Sequence, residues 1–519
     1  MAFEITDRQQ LIRGLGLIAA VSVIIGNVIG TGVFLKARVM ACNVGSPTWV
    51  LLAWIAAGLL SLAGALTYAE LTAMKPQAGG EYVFLRDAYG RASSFLFGWM
   101  QMFIAKPGSQ AAASMAFAIG LNDFLDKQLE QTLFSFNLFG APFDFTLIQM
   151  VGIMAIVIFT TLNCASVRFT GQIASVLTGV KIALVLFVGL GAFLWVTGDF
   201  SHFSMMNSGG TCEGVAESVN YGSATYTFLG GFGAAMLGAL WGYDGWNNLT
   251  FVAGEVENPK RNIPLAIIGS TLLIIVLYVF VHIGYFYVLD PTAIASVSKN
   301  SSVAKVVVSM FFGGDPATFA VGVAVAVFTV GLMMSSLGTL HTSMLSGSRV
   351  PYAMAKDRLM FPMFGRVSVN HVPVAAVLMQ GVWAILLAMT GSFDTLTDYV
   401  VFGSWVFYAL VTSSIFVFRR KYPDLERPYR AWGYPVVPVI FLLVAGWLLY
   451  ITFSNDLGQA RAGMDLITNG EIGAGIKAFA KTSSFAGSLL ILLGLPVYWY
   501  LTKLGGSTPT NEEPDVDIR

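Results

Sequence analysis

Charge is scarce in this sequence. Only 11 % of its 519 residues are Asp, Glu, Lys or Arg, where a soluble domain carries about a quarter, so a chain bathed in water on every side is excluded. Basic and acidic residues balance at 29 each, so net charge says nothing about acidic or basic partners; no nucleic-acid partner is expected. Cysteine and histidine are rarer still, at three and four residues, and they show neither metal-ligand spacing nor an HExxH arrangement. No metal or other cofactor is therefore expected. The apolar segments also offer no nucleophile beside a base, which argues against a membrane-embedded enzyme. Segments of about ten residues with alternating polarity, the mark of a membrane β-barrel, are missing. So is a signal-peptide pattern: MAFEITDRQQLIRGLG places acids and glutamines before the first apolar run and has no small-residue cleavage site.

Apolar residues are what the chain has in excess, at 56 % hydrophobic residues and a mean hydropathy of +0.71. They fall in blocks of about 18 to 28 residues, each long enough to cross a hydrocarbon core of about 30 Å. Twelve spans are expected, near 15–40, 48–73, 92–121, 146–163, 172–197, 224–253, 263–289, 317–348, 372–390, 393–418, 434–454 and 485–502. Alternate loops collect about nineteen cations against about eight in the opposite set, and the positive-inside rule then puts both termini in the cytosol. No loop is long enough for a second domain. One transmembrane domain over 1–505 is expected, followed by a disordered polar tail at 506–519. The long connections at 198–223 and 455–484 read as surface coils or short helices.

Two spans are interrupted in the same way. GNVIGTGVFL (26–35) puts three glycines and a threonine inside span one, and LGALWGYDGWNNLTFVAGE (237–255) puts Gly238, Gly242 and Gly245 around Asp244 in span six. Five spans separate the copies, so the second runs inverted relative to the first, giving repeats of about 15–197 and 224–418 with extra helices at about 434–502. Interrupted helices at matching positions of inverted halves point to a transporter's substrate site. Unwound backbone in lipid is tolerable only where it lines a cavity or is buried in protein. The amides of Thr31 and Gly32, at the start of a half-helix, suit a carboxylate, and the carbonyls of Val28, Trp241 and Asp244 suit an ammonium group. Together they fit a zwitterion such as an α-amino acid. Close helix packing through small residues is the alternative.

GNVIGTGVFL, AGGEYVFL (78–85), IAKPGSQ (104–110), LNCASVRFTGQ (162–172), LWGYDGWNNLTFVAGEVENPKRNIPLAI (240–267) and RRKYPDLERPYRAWGYPVVP (419–438) are similar to segments of the amino acid-polyamine-organocation superfamily, most of all its L-type amino acid transporter branch. That resemblance implies an all-α membrane protein with the five-plus-five inverted repeat shared with LeuT. It implies sodium-independent exchange of amino acids, or proton-coupled uptake. Carried over residue by residue, it places the substrate carboxylate at Gly30, Thr31 and Gly32 and the amino group at Val28, Trp241 and Asp244, with Trp241 as an aromatic gate. Ser109, Ala113, Asn247, Asn248, Phe402 and Trp405 match pocket positions. An amine transporter of the same superfamily, or an amino acid sensor that does not transport, would use the same scaffold.

Of the charged residues within spans, three stand farthest from the span ends. The resemblance places Lys181 beside the break in span one, where sodium-coupled relatives bind an ion, with Ser335 or Ser336 completing the contact; the alternative is a lysine snorkelling to the interface. Asp244 at mid-membrane calls for a partner. A cationic substrate side chain would supply one, so arginine, lysine or ornithine are expected substrates, unless Asp244 caps the second half-helix instead. Lys106, before Pro107, is expected to be structural, and Glu255 and Glu257 to pair with loop cations. Cys42 and Cys212 are expected as two unrelated thiols, able to bond only if they meet. Animal L-type transporters are disulfide-linked to a heavy chain through a cysteine between spans three and four. Residues 122–145 here contain none, so no linked heavy chain is expected, and a bacterial inner-membrane location follows.

Overall fold

The computed structural model describes residues 11–504, apart from 126, 139–140, 207–208, 214, 216–217, 220–226, 299–300, 390–392, 472, 476–477 and 479–481. The polar tail at 506–519 lies outside these residues.

The first apolar run forms two helices in one line, α1 (Leu17–Val28) and α2 (Gly32–Val44), separated at residues 29–31. There follow α3 (Pro47–Met74), the short α4 (Glu81–Tyr89), α5 (Arg91–Met100) and α6 (Lys106–Phe124), the last two joined by a π-helical turn at Gln101–Ala105. Pro107 explains that turn, because a proline has no N–H for the α-helical bond, and an extra residue per turn relieves its ring. Next come α7 (Leu147–Asn163), α8 (Val167–Leu194) and α9 (Phe228–Tyr243). A 3-10 helix (Asn248–Glu255) succeeds α9, then α10 (Pro259–Val288), α11 (Pro291–Ala295), α12 (Val303–Ser309) and α13 (Phe319–Gly347). The chain closes with α14 (Arg349–Lys356), α15 (Val374–Met389), α16 (Phe393–Lys421), α17 (Val436–Thr468), α18 (Ser483–Leu492) and α19 (Gly494–Leu504).

Eight segments among the described residues are long and apolar enough to cross a membrane, and α7 and α15 are shorter apolar helices. The protein is a multi-pass membrane protein. The interrupted α9 region and the π-bulged α5–α6 region are not among the eight, since polar residues and breaks lie at their middles. At the centre of the bundle, α1 packs against α8, α10 and α13, while α2 lies along α9. Helices α17 and α18 pack together on α16.

One element was not foreseen and two expectations need revising. The loop after α6 is a β-hairpin, β1 (Thr132–Leu138) pairing antiparallel with β2 (Ala141–Thr146); TLFSFNL alternates apolar and polar residues as a half-exposed strand does. The connection after the eleventh span begins as helix, because α17 runs on to Thr468. Cys42 of α2 and Cys212 of the connection after α8 are not unrelated thiols but form a disulfide. Both are fully buried, with Cα atoms 5.7 Å apart. A loop folded back over a helix end brings together cysteines 170 positions apart, which spacing alone cannot reveal.

Candidate functional site

The break in the first helix is a tight turn. The amide of Gly30 donates to the Val28 carbonyl at 2.8 Å, so α1 stops there and α2 starts afresh at Gly32, with N–H groups that lack intrahelical partners. The freed carbonyls on the other side of the turn are met by cations and hydroxyls. Lys181 of α8, with no exposed surface, donates to Gly26 and Ile29 carbonyls at 2.6 Å each and to Thr339 Oγ1 at 2.8 Å. The Ser335 hydroxyl donates to Ile29 at 3.1 Å. Lys181 therefore stays in the bundle and does not snorkel. The Tyr278 hydroxyl stands 2.9 Å from the Val28 carbonyl and 3.1 Å from that of Gly242, so one phenol spans the two interrupted helices.

The second break comes just after Tyr243. Helix α9 continues through Tyr243, Asp244 leaves helical geometry, and Gly245 takes φ +107, a conformation that side-chain-bearing residues rarely adopt. The two breaks meet closely. A β-carbon on Gly32 would stand 3.0 Å from both the Gly242 Cα and the Trp241 ring.

Around the second break the polar groups form one connected cluster. Tyr408 of α16 donates to Asp244 Oδ1 at 2.6 Å and lies 3.3 Å from Asn247 Oδ1. The Asn247 amide donates to Glu81 Oε1 at the start of α4, and the Tyr68 hydroxyl approaches Glu81 Oε2 at 3.4 Å. Lys106 donates to Asn248 Oδ1 and to Ser346 Oγ at 3.3 Å, with its ammonium 4.4 Å from the Phe251 ring centroid. Glu81 has no exposed surface. Burial drives its pKa up to about 8, against the opposing pull of Asn247, Lys106 and Tyr68.

Two adjoining cavities occupy the space between these elements. The larger, of about 650 Å³, is lined by Val28, Gly30, Thr31, Gly32, Ser109, Ala113, Trp241, Asp244 and Ser336, together with Asn27, Thr339 and Val400. The smaller, of about 390 Å³, shares Asn27, Ser109, Asp244 and Val400 and adds Gln101, Lys106, Asn247, Asn248, Ser404 and Tyr408. The oxygen of the buried Gln101 amide has no hydrogen-bond partner among the described residues.

Phe402 and Trp405 lie elsewhere. Phe402 stands against Gly487 of α18, and Trp405 stacks on Phe441 of α17 at 5.7 Å. The cavity face of α16 is Val400, Ser404 and Tyr408, four residues apart in turn and hence on one side of the helix. Ser335 contacts the break through Ile29, while Ser336 donates to Leu332 at 3.1 Å and lines the cavity. Sequence reasoning missed Tyr278, Gln101, Thr339, Tyr408 and Glu81. Only Glu81 carried a signal, as the acid of AGGEYVFL; the others belong to helices whose rotation the sequence leaves open.

One end of the interrupted helices is tied shut. The amides of Gly14 and Leu15 both donate to the Glu255 carbonyl, and that of Glu257 to Leu15, at 2.9 Å each. Below them Arg349 makes a two-pronged pair with Glu255, Nε to Oε1 and Nη2 to Oε2 at 2.7 Å each.

The family model described as amino acid permease matches residues 15–474. Among curated proteins, the b(0,+)-type amino acid transporter 1 of Homo sapiens is 30 % identical over 443 residues, covering 84 % of this chain and 82 % of its own. The serine/threonine exchanger SteT of Bacillus subtilis (strain 168) is 28 % identical over 504 residues, 96 % of this chain and 99 % of its own. The large neutral amino acids transporter small subunit 2 of Rattus norvegicus is 27 % identical over 460 residues, 88 % and 79 % of the two chains.

Proposed function

Since the chain belongs to the amino acid permease family, we propose that it is an amino acid exchanger that holds its substrate in the cavity between the two interrupted helices. The observation that carries this reading is the convergence of α2's first amides with the Asp244–Asn247 break across about 650 Å³. Unpaired N–H groups of Thr31 and Gly32, with Gly30 clearing the approach, receive the carboxylate. The carbonyls of Trp241 and Asp244 receive the ammonium. Val28 contributes less than its neighbours, because its carbonyl already accepts from Gly30 and faces the Tyr278 hydroxyl. Ser109 and Ala113 of α6 line the cavity wall, and Trp241 covers the substrate. Asn247 and Asn248 act one layer behind, through the smaller cavity.

Asp244 and the partnerless Gln101 oxygen both face that smaller cavity. A carboxylate beside an amide oxygen that lacks a donor favours a substrate side chain that brings one, an ammonium or guanidinium, so cationic amino acids are accepted beside neutral ones. Lys181, with Thr339 and Ser335, takes the place an ion would hold and keeps the break in order without sodium. The fold behind this reading is twelve spans, the first ten in two inverted halves of five and the last two outside the repeat, with termini in the cytosol of a bacterial inner membrane. It works without a disulfide-linked heavy chain: Cys42 and Cys212 are bonded to each other and residues 122–145 hold no cysteine.

Radiolabelled uptake into proteoliposomes tests the proposal. Uptake that requires preloading with amino acid is expected. Uptake into empty vesicles driven by a pH gradient would make the protein a proton symporter, and saturable binding with no uptake under either condition would make it a sensor.

A further inference from the structure

The buried cluster behind the substrate cavity does not balance in charge. Lys106 is the one cation in contact with it among the described residues, and two carboxyl groups, Asp244 and Glu81, face that lysine. The remaining members, Tyr68, Tyr408, Asn247, Asn248 and Ser346, are neutral hydrogen-bonding groups. Neighbouring cations are committed elsewhere. Lys181 faces the other break, Arg349 of α14 is closed on Glu255, Arg86 of α4 is held by Asp87 and Asp357, Arg91 of α5 donates to the Asp357 carbonyl, and Arg419 of α16 is paired with Glu70. With both acids ionised the cluster is left one negative charge in excess, and because Glu81 has no exposed surface its share of that charge is opposed by a low-dielectric interior. One positive charge must arrive from outside.

A cationic substrate side chain at Asp244 supplies it. A neutral substrate does not, and then a proton must. We propose that Glu81 is a proton site whose occupancy is exchanged against substrate charge: a neutral amino acid binds together with a proton on Glu81, and a cationic one binds without it. The inference rests on the reading of the cavity as an amino acid site. It assigns the proton to Glu81 and not Asp244 because Asp244 opens onto both cavities, where substrate or water can reach it, whereas Glu81 is sealed behind Asn247. The protonated carboxyl also has an acceptor ready. The Tyr68 hydroxyl, 3.4 Å from Oε2, donates to the ionised acid and accepts from the neutral one by rotating its hydrogen. The step forms one O–H bond with a proton from bulk water, and no bond of the substrate changes. Burial already sets Glu81 to titrate near pH 8, so the exchange falls in the working range of a cell.

Coupling runs through named contacts. A substrate cation at Asp244 draws on the same carboxylate that Tyr408 holds, and Tyr408 in turn adjoins Asn247, the donor to Glu81. Glu81 begins α4, the short helix between two spans, so the proton also bears on how firmly that helix is tied to the second break.

The test is isothermal titration of the purified full chain with leucine and with arginine at pH 8, in buffers of different ionisation heat, which counts protons taken up per ligand. Net uptake with leucine, and none or a release with arginine, is expected. Above pH 8 leucine affinity should weaken by about tenfold per pH unit while arginine affinity does not. Glu81→Gln should abolish the leucine proton and flatten its pH profile between pH 6 and 9, and Asp244→Asn, which leaves Lys106 balanced by Glu81 alone, should lower the leucine proton count while weakening arginine. Equal proton counts for the two ligands in the wild-type chain, a measurement that needs no variant to fold, overturn the proposal. So does a leucine proton that survives in Glu81→Gln. Arginine that fails to bind at any pH refutes the cationic reading of the cavity, and the exchange with it; if neither amino acid binds, the amino acid site itself is wrong.

Discussion

The ammonium of Lys181 lies 2.6 Å from the carbonyl oxygen of Ile29, the residue at which the first helix stops. The same nitrogen reaches Gly26 one turn earlier, so a single side chain closes the hydrogen bonds that unwinding opened. Replacing it with methionine keeps the bulk and removes those charge-assisted bonds, each worth roughly 1.5–3 kcal/mol. Lys181→Met is expected to cut uptake at least tenfold and to lower the melting temperature in detergent. Unchanged transport in proteoliposomes would show that the break holds itself.

Asp244 can be a receptor for a cationic side chain or merely a lid on the helix break. Asp244→Gly separates the two. Arginine uptake should fall about tenfold or more relative to leucine uptake, measured as the ratio of the two kcat/KM values. A ratio equal to that of the wild type would leave Asp244 a structural residue.

Gly32 is required by contact, because a β-carbon there meets the Gly242 backbone and the Trp241 ring at 3.0 Å. Backbone cannot give way as a flexible side chain does. Gly32→Ala should therefore push the two breaks apart and abolish saturable amino acid binding, while a substitution at Gly179, whose added β-carbon meets nothing within 4 Å, leaves binding unaltered. Direct ligand binding to the purified variants checks both.

The Glu255–Arg349 pair has no exposed surface on either side chain. Removing one partner of such a pair strands the other charge and costs about 3–5 kcal/mol. Glu255→Gln and Arg349→Met should each lower thermal stability strongly. The double substitution should recover part of the loss, because it leaves no unpaired charge; a double variant as unstable as the sum of the singles would mean that the pair acts through other contacts.

Much of the interrupted architecture was legible. Glycines at 26, 30 and 32 and around Asp244 contradict the demands of a membrane helix so plainly that a break is the economical explanation, and Lys181 announces itself by standing alone in an apolar run. What stayed hidden is which way each continuous helix faces. Phe402 and Trp405 belong to α16 as surely as Tyr408 does, yet only Tyr408 reaches the cavity, since a helix uniformly apolar on all sides carries no stripe to fix its rotation. The hairpin at residues 132–146 was missed for a similar reason: short alternating segments are easily lost beside long apolar runs.

The sequence by itself determined that this chain lives in a membrane, and it pointed to two helices that break and to a few charges buried near the breaks, because unwound backbone in lipid must line a cavity or be buried in protein. Only the tertiary structure decided which carbonyl Lys181 grips, that Tyr278 spans the two breaks, that Cys42 finds Cys212, and that Glu81 and Asp244 share one lysine. Those facts depend on how helices distant in sequence turn toward one another, and that is set by packing across the bundle, which no local pattern of residues encodes.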